Sequence, residues 1–280
     1  MPAKRYLCFS FQVMSLLTIS TVQTNLIWEK KQENLRVLGE KISQLKGKTE
    51  IVVLPEMFST GFSVDPLPLA ETMNGETISW MKSVSSSNKI ILTGSVIIEE
   101  GGKYYNRLVW MLPDENYGYY DKRHLFAFAG ENTHYSAGNK RLIASVKGWK
   151  INLLICYDLR FPVWARQSSV ETIEGFRPEY DVLIYVANWP ERRSLAWKTL
   201  LQARAIENQC FVVGVNRVGT DANDLFYAGD SMIIDPLGKI LYHAPATEDI
   251  FTYTLDRQIL DDIRAQLPFW KDQDHFSIEP

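Results

Sequence analysis

Short apolar runs recur along this chain, each ending on polar, turn-prone residues, and this pattern limits the fold more than any other feature. Residues 51–54, 90–98, 151–155, 182–186 and 211–215 are largely apolar and rich in Val and Ile. Runs of that length that are apolar on both faces read as strands buried on both sides. Residues 16–23 read as the first core strand. Between strands, Leu35, Leu38, Ile42 and Leu45 fall at helical spacing with Glu and Lys on the other face. Ile78, Met81 and Val84 suggest a second helix, and further helices are predicted near 163–169 and over 194–207. Residues 104–112 and 227–242 read as hairpin material, the latter turning at Asp235-Pro236-Leu237-Gly238. The alternation predicts an α/β fold with helices on the outer faces of sheets.

Length and composition fit one enzyme domain. The chain has 280 residues, 46% of them hydrophobic, enough for a large core, and no Pro, Gly or Ser-rich linker divides it. A net charge of −3 gives no electrostatic reason to expect nucleic acid or an anionic membrane as partner. Three Cys, an odd number, do not make a disulfide framework, which fits a reducing, cytoplasmic compartment. Lys4 and Arg5 followed by an apolar stretch superficially resemble a secretion signal, but Gln12 and Ser15 interrupt it and no small-x-small cleavage site follows. The expected organisation is an N-terminal extension over 1–13 and a single domain over 14–280.

The strand ends carry the chemistry. Cys156 closes the run 151–155 and opens Tyr157-Asp158-Leu159-Arg160-Phe161-Pro162; 51–54 ends on Pro55-Glu56; Tyr117-Gly118-Tyr119-Tyr120 ends on Asp121-Lys122. Open α/β sheets place reactive groups at such ends. A thiol, a carboxylate and an ammonium together supply a nucleophile, a base and a charge stabiliser for acyl transfer. Each also has a plain structural reading: Cys156 as core packing, Glu56 as a loop carboxylate, Lys122 as a solvated strand end.

The wording around these residues is specific. Leu54-Pro55-Glu56-Met57-Phe58, Tyr120-Asp121-Lys122-Arg123-His124-Leu125-Phe126 and Ile155-Cys156-Tyr157-Asp158-Leu159-Arg160-Phe161-Pro162 resemble, in order and separation, the three signature segments of the nitrilase superfamily of carbon–nitrogen hydrolases. Val186-Ala187-Asn188-Trp189-Pro190, Arg204-Ala205-Ile206-Glu207-Asn208-Gln209 and Gly229-Asp230-Ser231 are most similar to its bacterial ω-amidase branch, which acts on the terminal amide of 2-oxo acids. The resemblance implies a four-layer α-β-β-α sandwich of the nitrilase type that usually dimerises, and a small-molecule amide substrate. Neither a cofactor nor a metal is expected. It also implies that Glu131, nine residues beyond Lys122, is the second carboxylate of the site; the alternative is a surface loop Glu.

On this reading Glu56 takes the Cys156 proton as sulfur attacks the carboxamide, Lys122 and the Tyr157 backbone N–H hold the oxyanion, and Glu131 keeps Lys122 charged or orients it. Arg193 is the candidate for gripping a substrate carboxylate bidentately, with Arg192 and Arg193 both readable as solvated instead. Trp189 and Phe126 wall the acyl chain or simply pack. Asp158 and Arg160 read as an internal structural pair, and Cys8 and Cys210 as packing. Rivals are a Cys–His hydrolase using His124 or His134, a metal site, for which no HExxH or CxxC spacing is present, and a non-catalytic binding module. Deaminated-glutathione amidase, carbamoyl hydrolase and nitrilase activities share the same catalytic parts.

Overall fold

The computed structural model describes residues 15–172, 175–274 and 276–278. The proposed extension over 1–13, with Cys8, lies outside the described residues. Strand and helix alternate at first: β1 (Leu16–Gln23), α1 (Lys31–Ser43), β2 (Ile51–Val53), α2 (Glu76–Asn88) and β3 (Ile91–Glu100). Then come β4 (Lys103–Met111), β5 (Tyr117–Asp121), the one-turn α3 (Glu131–His134), β6 (Ile143–Val146), β7 (Trp149–Ile155) and α4 (Pro162–Ala165). A hairpin of β8 (Ser169–Thr172) and β9 (Gly175–Pro178) leads to β10 (Val182–Val186), α5 (Ser194–Asn208) and β11 (Phe211–Val215). A second hairpin, β12 (Val218–Thr220) with β13 (Phe226–Ala228), precedes β14 (Met232–Ile234), β15 (Ile240–His243), β16 (Asp249–Asp256) and α6 (Arg257–Gln266).

The strands form two six-stranded sheets, ordered β16-β1-β2-β3-β4-β5 and β15-β14-β11-β10-β7-β6. Their centres are parallel, β1-β2-β3 in one and β7-β10-β11 in the other, so helices must cross over their outer faces. Alternation along a strand explains how both faces are buried. Ile51 and Val53 of β2 point inward, into one core with Leu17, Leu108 and Trp110 of their own sheet and Trp149, Ile151 and Val182 of the other. Val52 and Leu54 point outward, onto Leu35, Leu38 and Ile42 of α1 and Ile78 and Met81 of α2. Across the second sheet, Trp197, Leu201 and Ala205 of α5 and Leu260 of α6 are fully buried. The result is a four-layer α-β-β-α sandwich. Gly214 on β11 lets α5 approach, since a Cβ there would lie 2.5 Å from Leu201 Cδ1.

One helix is shorter than its sequence suggests. The helix predicted near 163–169 stops at Ala165, and the chain leaves it extended at Arg166 (φ −59°, ψ 124°). Ser169 already belongs to β8, and the Ser168 carbonyl accepts from the Glu179 N–H, so hairpin pairing takes these residues from the helix. The stretch 227–242 divides between two hairpins: β13 pairs with β12, and β14 turns into β15 at Asp235, whose carboxylate accepts from the Leu237 and Lys239 N–H groups. No helix of the described residues is long and apolar enough to cross a membrane.

Candidate active site

The two sheets deliver groups from opposite walls to one place. Just past β2, Met57 takes a left-handed backbone (φ 44°) and its N–H donates to Ser95 Oγ at 2.8 Å, which turns Glu56 inward. Past β5, the Lys122 N–H donates to the Asn106 carbonyl while its own carbonyl accepts from the Gly138 N–H, fixing the lysine backbone on both sides. On the facing sheet, β7 ends on Cys156, itself left-handed (φ 42°) at the start of a 3-10 turn, Cys156–Arg160. A non-glycine residue pays conformational strain for that geometry, and such strain concentrates at functional sites. Asp158 holds the turn by accepting from the Ile155 N–H at 3.0 Å.

Glu56, Lys122 and Glu131 are almost completely buried. Lys122 Nζ donates to Glu56 Oε1 at 2.9 Å and lies 2.9 and 3.1 Å from the two oxygens of Glu131. Asn106 Nδ2 bridges the same carboxylates, 2.8 Å from Glu56 and 3.2 Å from Glu131. The Asn188 N–H, just past β10, donates to Glu56 Oε2 at 2.8 Å, and the Phe126 N–H donates to Glu131 at 2.6 Å. Cys156 Sγ lies 4.0 Å from the Asn188 carbonyl oxygen. Glu131 is therefore a buried partner of Lys122, not a surface loop residue.

Charge and burial set the protonation states. Burial opposes the Lys122 ammonium, but Glu131 and Glu56 outweigh it and hold the lysine well above its usual range, hence protonated. Burial pushes the Cys156 thiol well above the ordinary thiol range, Glu56 adds to this and Lys122 opposes it. The resting sulfur is a neutral thiol beside a carboxylate. Burial also pushes Glu131 up, with Lys122 pulling it back. Its contacts decide its state: Lys122 Nζ, Asn106 Nδ2 and the Phe126 N–H are all donors, so a protonated carboxyl would lose bonds that the carboxylate makes.

A cavity of about 110 Å³ opens above the sulfur, lined by Phe62, Lys122, Phe126, Tyr157, Arg160, Asn188, Trp189, Arg192, Arg193, Leu225 and Tyr227 among others. Phe126, Tyr157, Trp189 and Arg193 line it together with Cys156. The Arg193 guanidinium lies 5.1 Å over the Phe126 ring, and the Trp189 indole N–H donates to the Arg193 carbonyl at 2.9 Å. Burial and the neighbouring Arg192 lower the Arg193 pKa.

Asp158 and Arg160 do not form the expected pair. In a turn with about three residues per revolution, residues two apart point in different directions. Asp158 points inward and binds the Tyr120 hydroxyl at 2.8 Å, the His124 N–H at 3.0 Å and His124 Nδ1 at 2.8 Å. Arg160 points outward to the cavity rim, 4.9 Å over the Trp189 ring. His124 is thereby committed to Asp158 and stacked on Phe161. Sequence reasoning missed Asn106 and Tyr227, which sit inside strand-like runs, and Phe62, in the loop between β2 and α2; none carries a local mark of its role. Cys210 packs in the core.

The sequence profile of the carbon–nitrogen hydrolase family matches residues 18–265. The chain is 39% identical over 263 residues to omega-amidase YafV of Escherichia coli (strain K12), covering 94% of this chain and 98% of that protein. It is 34% identical over 259 residues to 2-oxoglutaramate amidase of Bacillus subtilis (strain 168), covering 91% and 96% respectively. A CN-hydrolase superfamily protein of Xanthomonas campestris, solved with an arsenic adduct in its active site, is 42% identical with a TM-score of 0.92, covering 95% of this chain and 100% of that one. Nit3 of Saccharomyces cerevisiae, a member of branch 10 of the nitrilase superfamily, has a TM-score of 0.79 at 26% identity, covering 90% and 94%.

Proposed function

The chain belongs to the carbon–nitrogen hydrolase family, and we propose that it is an ω-amidase. It cleaves the terminal carboxamide of small 2-oxo acid monoamides such as 2-oxoglutaramate and 2-oxosuccinamate. The products are ammonia and the 2-oxo dicarboxylate, formed through a cysteine thioester. The observation that carries this reading is the division of one small cavity: Cys156 and Lys122 on its floor, Arg160, Arg192 and Arg193 at its walls. Similarity to an omega-amidase and a 2-oxoglutaramate amidase over most of the chain supports the same substrate class.

An amide is a weak electrophile with a poor leaving group, so the step needs an activated nucleophile, oxyanion stabilisation and a proton for nitrogen. Because Cys156 rests as a thiol, its proton passes to Glu56 as sulfur bonds to the carboxamide carbon. Lys122 Nζ and the Tyr157 backbone N–H stabilise the oxygen that gains the charge. The C–N bond breaks as Glu56 returns the proton to nitrogen, ammonia leaves, and a thioester remains. Glu56 then deprotonates a water that attacks the thioester, and the departing sulfur regains the proton. Glu131 acts as a positioning residue that holds Lys122 charged and aimed. Arg193 binds the substrate carboxylate, while Phe126 and Trp189 flank the acyl chain. Residues 14–280 act as one catalytic unit.

We also infer a homodimer in a reducing, cytoplasmic setting. Leu195 and Ile206 on α5, with Leu237 in the β14–β15 turn, are large exposed apolar side chains. A Cβ on Gly238 would lie 2.6 Å from Ile206 Cδ1, so the turn packs against the Ile206 end of the helix.

The test is ammonia release from a substrate panel. The highest kcat/KM is expected for 2-oxoglutaramate or 2-oxosuccinamate. A preference for glutamine, deaminated glutathione, an N-carbamoyl compound or a nitrile would overturn the assignment.

A further inference from the structure

The cavity is electrically polarised along its length. Lys122 lines its floor, and Glu56 and Glu131 are buried directly behind that single ammonium, with no other cation among the hydrogen-bond partners of either carboxylate. All the floor contacts to Glu56 and Glu131 come from donors, which favours both as carboxylates, and the adjacent Cys156 rests uncharged. The floor therefore carries one net negative charge in a setting too buried for water to screen it. The walls are opposite in sign. Arg160, Arg192 and Arg193 reach the cavity, and no ion pair to an acidic side chain is made by any of the three among the described residues.

We propose that Glu131 is a specificity-determining residue: by making the floor net negative it rejects a carboxylate at the reacting end, so the dicarboxylate product binds much more weakly than the monoamide. This rests on the ω-amidase reading. A monoamide places one carboxylate among the arginines and a neutral carboxamide on the floor, where both ends are satisfied. Hydrolysis converts that neutral end into an anion over the buried Glu56–Lys122–Glu131 cluster, whose net charge is negative. The reaction thus creates the repulsion that expels its product, and free 2-oxo dicarboxylates compete poorly for the site. Lys122 does not cancel the effect, because its single charge is already shared between two carboxylates.

Isothermal titration of Cys156→Ala, which keeps the floor charges but cannot turn over, compares 2-oxoglutaramate with 2-oxoglutarate. The monoamide should bind at least about tenfold more tightly, a gap of about 1.4 kcal/mol. In Cys156→Ala/Glu131→Gln the gap should close because the dicarboxylate binds more tightly than before. A general loss of structure cannot produce a gain in affinity. Should the Glu131 variant fail to fold, Cys156→Ala/Glu56→Gln removes the same charge and should give the same tightening. Equal affinities in Cys156→Ala, or a gap unchanged after either Glu→Gln substitution, would overturn the proposal. If folded Cys156→Ala binds neither ligand, the ω-amidase reading itself fails and takes this inference with it.

Discussion

At the scale of single residues, the central feature is a buried, neutral thiol beside a carboxylate. Burial raises the Cys156 pKa, the charge and hydrogen bond of Glu56 and the charge of Glu131 add to it, and Lys122 opposes them. Glu56→Gln removes one raising influence and leaves the lowering one. The midpoint of Cys156 alkylation by iodoacetamide should therefore fall to lower pH, although turnover is lost; mass spectrometry across neutral to alkaline pH reads it, and an unchanged or higher midpoint would contradict the charge assignment. Lys122→Ala should lower kcat by the ~10²–10³ typical of a lost oxyanion donor, measured as ammonia release. Cys156, Glu56 and Lys122 stood out in the sequence because each follows an apolar or aromatic run, where a polar residue has no packing reason to be. Asn106 did not, since it lies inside the strand run 103–111, where a polar residue reads as one facing solvent. Only the pairing of β4 with β5 turns its side chain onto two carboxylates.

At the scale of elements, strand ends place the site and loops hold it. Asp158 ties the end of β7 to the loop after β5 through Tyr120, His124 and the Ile155 N–H. Asp158→Ala leaves several buried donors unpaired, each costing about 1–3 kcal/mol. A loss of about 3 kcal/mol or more in urea unfolding is expected; less than about 1 kcal/mol would show that the tie is dispensable. Arg193, at the entry to α5, is held by the bond from Trp189 to its carbonyl. Removing one partner of a desolvated charge pair costs about 2–5 kcal/mol, and each 1.4 kcal/mol is about tenfold. Arg193→Ala should thus reduce kcat/KM for 2-oxoglutaramate by roughly thirtyfold or more, while a small neutral amide changes much less. Equal losses would make Arg193 structural. Long periodic elements such as α1 and α5 were legible from apolar spacing. The stretch after Ala165 was not, because pairing between β8 and β9 overrides local helix preference there. Nor was β16, whose partner β1 is more than two hundred residues away in sequence.

At the scale of the whole molecule, two sheets share one core and the site exists only where they meet: Glu56, Lys122 and Glu131 come from one side, Cys156 and Asn188 from the other. Trp149 is fully buried in that shared core. Trp149→Ala should cost about 3–5 kcal/mol and shift a single unfolding transition, whereas a separate loss of one sheet would contradict the shared core. Ile206→Asp should convert a dimer to a monomer in analytical ultracentrifugation; an unchanged sedimentation coefficient would place any interface elsewhere. The most direct measurement for the account as a whole is intact-protein and peptide mass spectrometry of enzyme quenched during turnover of 2-oxoglutaramate. An acyl group on Cys156, formed with release of ammonia and absent in Cys156→Ala, is the predicted result. Continued ammonia release by Cys156→Ala, or an acyl group on Cys210 with Cys156 unmodified, would contradict it.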